Sequence, residues 1–118
     1  VDVELVTHMM KKLNITDPEE MISILTRQSG LLGISGVSSD MRDVIAAKDA
    51  GNKRAQIAVT LFVKNIVRYI GQYYAEMKGL DGIVFTAGIG ENSDVIRRSI
   101  LRVKKALSLN LILRSLLC

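Results

Sequence analysis

Apolar positions recur with a helical period along most of this chain and break into a β-like run only once. Val6, Met9, Met10 and Leu13 stand three and four residues apart and predict a helix over residues 2–14 with one apolar stripe. Lys11 and Lys12, near its end, suit the negative end of the helix dipole. Thr16-Asp17-Pro18-Glu19-Glu20 predicts the next helix start: Asp17 caps, Pro18 fits the first helical position, and Glu20 completes a capping box. That helix is expected to reach about Arg27 and to stop at Ser29-Gly30.

Residues 29–39 interleave Gly and Ser with Leu31, Leu32, Ile34 and Val37, which predicts a turn-rich loop that buries apolar side chains. Ser38 or Ser39 can cap a helix from Asp40 to about Ala50, ended by Gly51. A long helix follows from about Asn52 to Met77, roughly 39 Å at 1.5 Å per residue. Its expected buried face is Ala58, Phe62, Ile66, Tyr69, Ile70, Tyr73 and Met77, with Gly71 permitting a close helix crossing. Lys78-Gly79 closes it.

The period changes at residue 82. Ile83-Val84-Phe85 is a β-branched and aromatic run, the pattern of a strand over 82–87 covered on both faces. Gly88 and Gly90 then let the chain turn sharply and let its backbone approach a ligand. Asn92 or Ser93 can cap a final helix from about Ser93, with Ile96, Ile100, Val103 and Leu107 facing inward. The first N–H groups of such a helix have no internal partner and can face a phosphate or ribose oxygen. A single strand cannot satisfy its own backbone groups. The pattern therefore predicts part of a larger α/β domain, helix-rich, with one clear core strand.

The chain has 118 residues, 48% of them apolar and 4% aromatic, with no Trp, so its core must be mainly aliphatic. No run approaches the roughly 18 apolar residues of a membrane span, and no secretory signal pattern is present. The expectation is a cytoplasmic protein with no membrane partner. The single Cys118 cannot form an internal disulfide and is expected to be an exposed thiol. The net charge of +4 is uneven: residues 1–94 hold ten Lys/Arg against twelve Asp/Glu, whereas 95–118 hold six Lys/Arg and no acid. A basic tail can contact nucleic acid, but this one has no aromatic residue for base stacking, so it reads as a solvated helix face with no nucleic-acid partner. His8 has only Glu4 as a nearby co-ligand and Lys12 one turn away, so no metal site is assigned.

Two strings carry the chemistry. The first is Phe85-Thr86-Ala87-Gly88-Ile89-Gly90-Glu91-Asn92-Ser93; the second is Ser29-Gly30-Leu31-Leu32-Gly33-Ile34-Ser35-Gly36-Val37-Ser38-Ser39-Asp40-Met41-Arg42-Asp43. In this order and at this separation they resemble the acetate kinase family, members of the sugar kinase, Hsp70 and actin superfamily. The resemblance covers about Val1 to Ile100 and implies part of the C-terminal half of such an enzyme, within an actin-like (ribonuclease H-like) ATPase domain. It implies ATP or ADP and Mg²⁺ as cofactors, with the metal ligand outside this chain, and small-molecule substrates. It implies a homodimer, in which the 52–77 helix either meets the partner or is simply core. The whole enzyme would transfer the γ-phosphoryl of ATP to acetate, giving acetyl phosphate and ADP.

By the same resemblance, Asp40, Met41 and Arg42 match the segment that contacts adenine and ribose, and Gly88, Ile89, Gly90, Glu91 and Asn92 match the second nucleotide-contacting loop. A carboxylate such as Asp40 can accept hydrogen bonds from ribose hydroxyls or an exocyclic amine. A guanidinium such as that of Arg42 can stack on a purine. Each residue also has a structural alternative: Asp40 can cap its own helix, Arg42 and Asp43 can be surface charges, and Glu91 can favour the positive helix end. The family's acyl pocket, catalytic acidic residue, catalytic arginines and glycine-rich phosphate loop precede the matched region, so no catalytic residue is assigned. Residues 101–118 depart from the family pattern, and the abrupt change of composition there suggests a truncation or a change of reading frame near Ile100. The competing reading is a non-catalytic nucleotide-binding or oligomerisation module on the same fold.

Overall fold

Most helices start on a side chain that accepts their free N–H groups, which explains why the breaks fall where they do. In a computed structural model, residues 2–106 and 112–115 are described, with side-chain environments for 2–102. The chain forms two units, Val1–Ala58 and Val59–Cys118.

In the first unit, α1 (Val3–Leu13) begins on Asp2, whose carboxylate accepts from the Glu4 and Leu5 amides at 2.8 and 3.3 Å. It ends at Asn14, which adopts a left-handed conformation, and the Ile15 amide turns back to the Met10 carbonyl at 2.9 Å. Helix α2 (Pro18–Ser23) starts on Asp17 as the sequence predicts, with Pro18 in its first turn and the Asp17 carboxylate accepting from the Glu19 amide at 2.9 Å, but Glu20 makes no return bond to complete a capping box. It widens into a π-helical segment over Ile24–Gln28, and the Ser29 hydroxyl donates to the Ile24 carbonyl at its end.

The predicted loop at 29–39 contains a short helix, α3 (Gly30–Ser35), framed by Gly30 and Gly36 at positive φ. Ile34 and Val37 are exposed rather than buried; Ser35 takes the interior place. Its hydroxyl accepts from the Val37 amide at 3.1 Å and donates to the Ser38 carbonyl, which removes the cost of burying it. Helix α4 (Met41–Asp49) follows and buries Met41 and Val44; Ile15, Met21, Ala55 and Ala58 are also among the buried residues of this unit.

Helix α5 (Lys53–Met77) is the long helix that the sequence predicts, started by Asn52, whose side-chain oxygen accepts from the Ala55 amide at 3.1 Å. Its expected buried face is only partly covered. Ala58 and Val59 are buried and Phe62, Ile66 and Ile70 half-buried, but Tyr69, Tyr73 and Met77 are exposed. Periodicity marks the apolar stripe of a helix, not how far its covering extends. Nor does Gly71 mark a close crossing among the described residues, because a Cβ there would meet nothing within 4 Å.

In the second unit, β1 (Gly82–Phe85) pairs in parallel with β2 (Ile112–Ser115), Gly82 opposite Ile112 and Phe85 opposite Ser115. The basic 101–118 stretch thus supplies β2. Strand β1 is not covered on both faces as expected: among the described residues Ile83 and Phe85 are half-buried, while Gly82 and Val84 are exposed. Helices α6 (Ala87–Asn92) and α7 (Asp94–Ala106) follow, and Ile96 and Ile100 of α7 are buried as predicted. The predicted inward positions Val103 and Leu107, and the Cys118 thiol, lie outside the described side chains.

Candidate functional site

Asp40 and Arg42 stand at the start of α4 in the first unit. Asp40 is the N-cap: its Oδ1 accepts from the Arg42 amide at 2.8 Å. The Arg42 guanidinium folds back on the same carboxylate, Nε lying 3.1 and 3.2 Å from its two oxygens and a terminal nitrogen 2.5 Å from Oδ2. These bonds from Arg42 hold the Asp40 carboxyl down at about 2 and raise the Arg42 guanidinium. The approach is set up by Ser38, not as the helix cap but as a bridge. Its hydroxyl accepts from the Asp40 amide at 3.0 Å and donates to Asp43 at 2.8 Å. Arg42 is 89% exposed, so one face of a planar cation is open to a ligand while its edge is pinned. Met41 differs: its side chain is buried in the core, so only its main chain is free to face a ligand.

Gly88, Ile89, Gly90, Glu91 and Asn92 lie in the second unit, all within α6. The sharp turn out of β1 is made by Ala87, at φ 59°, and not by the glycines. Gly88 instead leaves its surface bare: a Cβ there would meet nothing within 4 Å, whereas one on Gly90 would touch Phe85 at ordinary contact distance. Ile89, Glu91 and Asn92 are exposed. The capping role falls to Ser93, whose hydroxyl accepts from the Ile96 amide at 3.4 Å.

Two arginines that sequence reasoning passed over hold short helices within the two matched strings. Arg54, in the first turn of α5, donates to the Gly33 and Ile34 carbonyls at 2.8 and 3.0 Å. Arg97, in α7, donates to the Gly90 carbonyl at 2.9 Å and to the Glu91 carbonyl. Each takes the fourth and fifth carbonyls of a six-residue helix, α3 and α6 respectively. Such carbonyls have no partner within the helix, and a cation there also meets the negative end of its dipole. For Arg97 the available signal was an arginine in the early turns of a helix that follows a Gly-rich short element; Arg54 acts across α4 and carried no such local signal.

Among the described residues, no group of three or more His, Cys, Asp or Glu side chains could hold a metal ion. No described helix is long and apolar enough to cross a membrane.

Residues 1–114 match the model of the acetokinase family. The chain is 55% identical over 100 residues to the acetate kinase of Fructilactobacillus sanfranciscensis, covering 85% of this chain and 25% of that protein. It is 53% identical over 102 residues to the acetate kinase of Lacticaseibacillus paracasei, covering 86% of this chain and 26% of that one. It thus spans about a quarter of the length of these relatives. Its structure resembles Porphyromonas gingivalis acetate kinase, with a TM-score of 0.84 and 28% identity over 98% of this chain and 35% of that chain. It resembles a propionate kinase from Francisella tularensis similarly, with a TM-score of 0.83 and 27% identity over 98% of this chain and 35% of that one. By the extent of the family match and by its identity to these kinases, the chain belongs to the acetokinase family.

Proposed function

We propose that this chain forms part of the adenosine-binding wall of a kinase that transfers the γ-phosphoryl of ATP to acetate, giving acetyl phosphate and ADP. The observation that carries the reading is the match of residues 1–114 to the acetokinase family, with both nucleotide strings inside it. The assigned contacts are Asp40, Met41 and Arg42 in the first unit and Gly88, Ile89, Gly90, Glu91 and Asn92 in the second. The geometry suits this role. Arg42 presents an exposed, pre-oriented guanidinium for stacking on a purine. The bare surface of Gly88 allows main-chain approach to a nucleotide.

Phosphoryl transfer is mostly positioning and charge neutralisation. The contribution of these residues is to bind and orient the nucleotide, and none is assigned to proton transfer or to attack. The described acidic residues do not form a cation site, so no step is assigned to magnesium through them. We place the chain in an actin-like domain of a dimeric, cytoplasmic enzyme, with 1–100 as the nucleotide-binding part. The neighbours include a propionate kinase, so the acceptor class is a short carboxylate.

The test is calorimetric titration of the 118-residue chain with ADP and Mg²⁺, with Arg42→Ala alongside. Saturable binding that weakens by about ten-fold in Arg42→Ala is expected, the scale of a lost cation–π and hydrogen-bonding contact. Binding untouched by the substitution would sink the role given to Arg42.

A further inference from the structure

We propose that Arg97 is a positioning residue for the nucleotide loop: its guanidinium, by holding the Gly90 and Glu91 carbonyls, fixes the conformation of Gly88–Asn92. The inference rests on the reading of that loop as a nucleotide contact, but the clamp itself does not.

Helix α6 has little to hold it by itself. It is six residues long, well below the length at which a helix persists in water. Two of the six are glycines, each unfavourable in a helix by about 1 kcal/mol relative to alanine. Its first residue, Ala87, sits at φ 59°, where a side chain is disfavoured. Thr86, which precedes it, makes no side-chain capping bond. Against these stand the hydrogen bonds from Arg97, one at 2.9 Å to Gly90 and a second to Glu91, both charge-assisted.

Arg97 is itself held. It projects from α7 next to the buried Ile96, its side chain is only 26% exposed, and Asp94 lies 3.9 Å from its guanidinium. Asp94 makes its closer pair, at 2.8 Å, with the exposed Arg98. The two neighbouring arginines therefore divide the work: Arg98 meets the carboxylate, and Arg97 is left with its donors on the loop carbonyls. Both bonds come from one terminal nitrogen, whose two N–H directions are fixed in the guanidinium plane, an orientation that a freely rotating lysine ammonium does not hold.

The experiment compares amide hydrogen exchange over 88–93 in the chain as it stands, in Arg97→Ala and in Arg97→Lys, and titrates each with ADP. Exchange over 88–93 should rise about ten-fold or more in Arg97→Ala, as the loss of two charge-assisted hydrogen bonds requires, while amides around Ile100 change little. Arg97→Lys should recover only part of the protection, and methylguanidinium added to Arg97→Ala should recover part of it too. ADP affinity should fall and recover in the same order. Exchange over 88–93 that stays at the original rate in both variants would overturn the proposal. So would loss of the cooperative melt in both, because the contact would then be a general support and not a local clamp. If exchange rises as expected but the unsubstituted chain binds no ADP, the clamp stands and the nucleotide reading falls.

Discussion

Asp40 does two jobs that sequence reasoning treated as alternatives: it caps its own helix and it aims Arg42. The consequence is a defined acid dependence. Its carboxyl is lowered from an ordinary 3.8 to about 2 in the folded chain. The stability it contributes is therefore fully present above about pH 4 and is lost as the pH falls toward 2. Melting followed from pH 5 to pH 2 should show Asp40→Asn less stable than the original chain at pH 5, with the gap closing at the acid end. A gap constant with pH would mean that the carboxylate charge is irrelevant. Ala87 makes the opposite case, a residue that a glycine would replace with profit. Holding alanine in the left-handed region costs about 1–2 kcal/mol, and glycine gives back part of that in unfolded-state freedom. Ala87→Gly is expected to stabilise by about 0.5–1 kcal/mol in a urea titration, and a lower midpoint would contradict the left-handed turn.

At the scale of elements, what was legible in the sequence is what local chemistry decides. Helices α1, α2, α4 and α5 were readable because a helical apolar period or a capping residue marks each of them, and strand β1 because its short run is β-branched and aromatic. The short helices α3 and α6 were not, because glycine-rich sequences carry no helical period and their carbonyls are satisfied by arginines further along the chain. The site strings were legible by family resemblance, but the division of labour inside them was not. That Met41 is core and Arg42 open depends on which way α4 turns its first residues. The exposure of Tyr69, Tyr73 and Met77 was hidden for a related reason, since a stripe does not announce the extent of its cover. The α3 clamp can be tested as a coupled pair. A Cβ on Gly36 would lie 2.8 Å from an Arg54 nitrogen, and the Gly36 φ of +66° already disfavours a side chain. The guanidinium could swing away, but only by giving up the Gly33 and Ile34 carbonyls. Gly36→Ala should therefore cost about 2 kcal/mol in the original chain and about 1 kcal/mol in an Arg54→Ala background. Equal costs in the two backgrounds, measured by denaturant titration, would mean that the two positions do not interact.

Among the described residues of the whole molecule the same device appears once in each unit, but on different loop lengths. The α3 clamp joins residues 20 and 21 apart in the chain, whereas the α6 clamp joins residues six and seven apart. Loop-closure entropy grows with the logarithm of the span, so the threefold difference makes the α3 clamp costlier to close by about 1 kcal/mol. The α6 clamp, together with the turn of chain it closes, can form and re-form within its own segment of sequence. The α3 clamp must wait until α4 has brought the start of α5 within reach. The two clamps thus differ in what undoes them: opening the start of α5 releases the Gly33 and Ile34 carbonyls, whereas the Gly90 and Glu91 carbonyls are released only from within their own short segment.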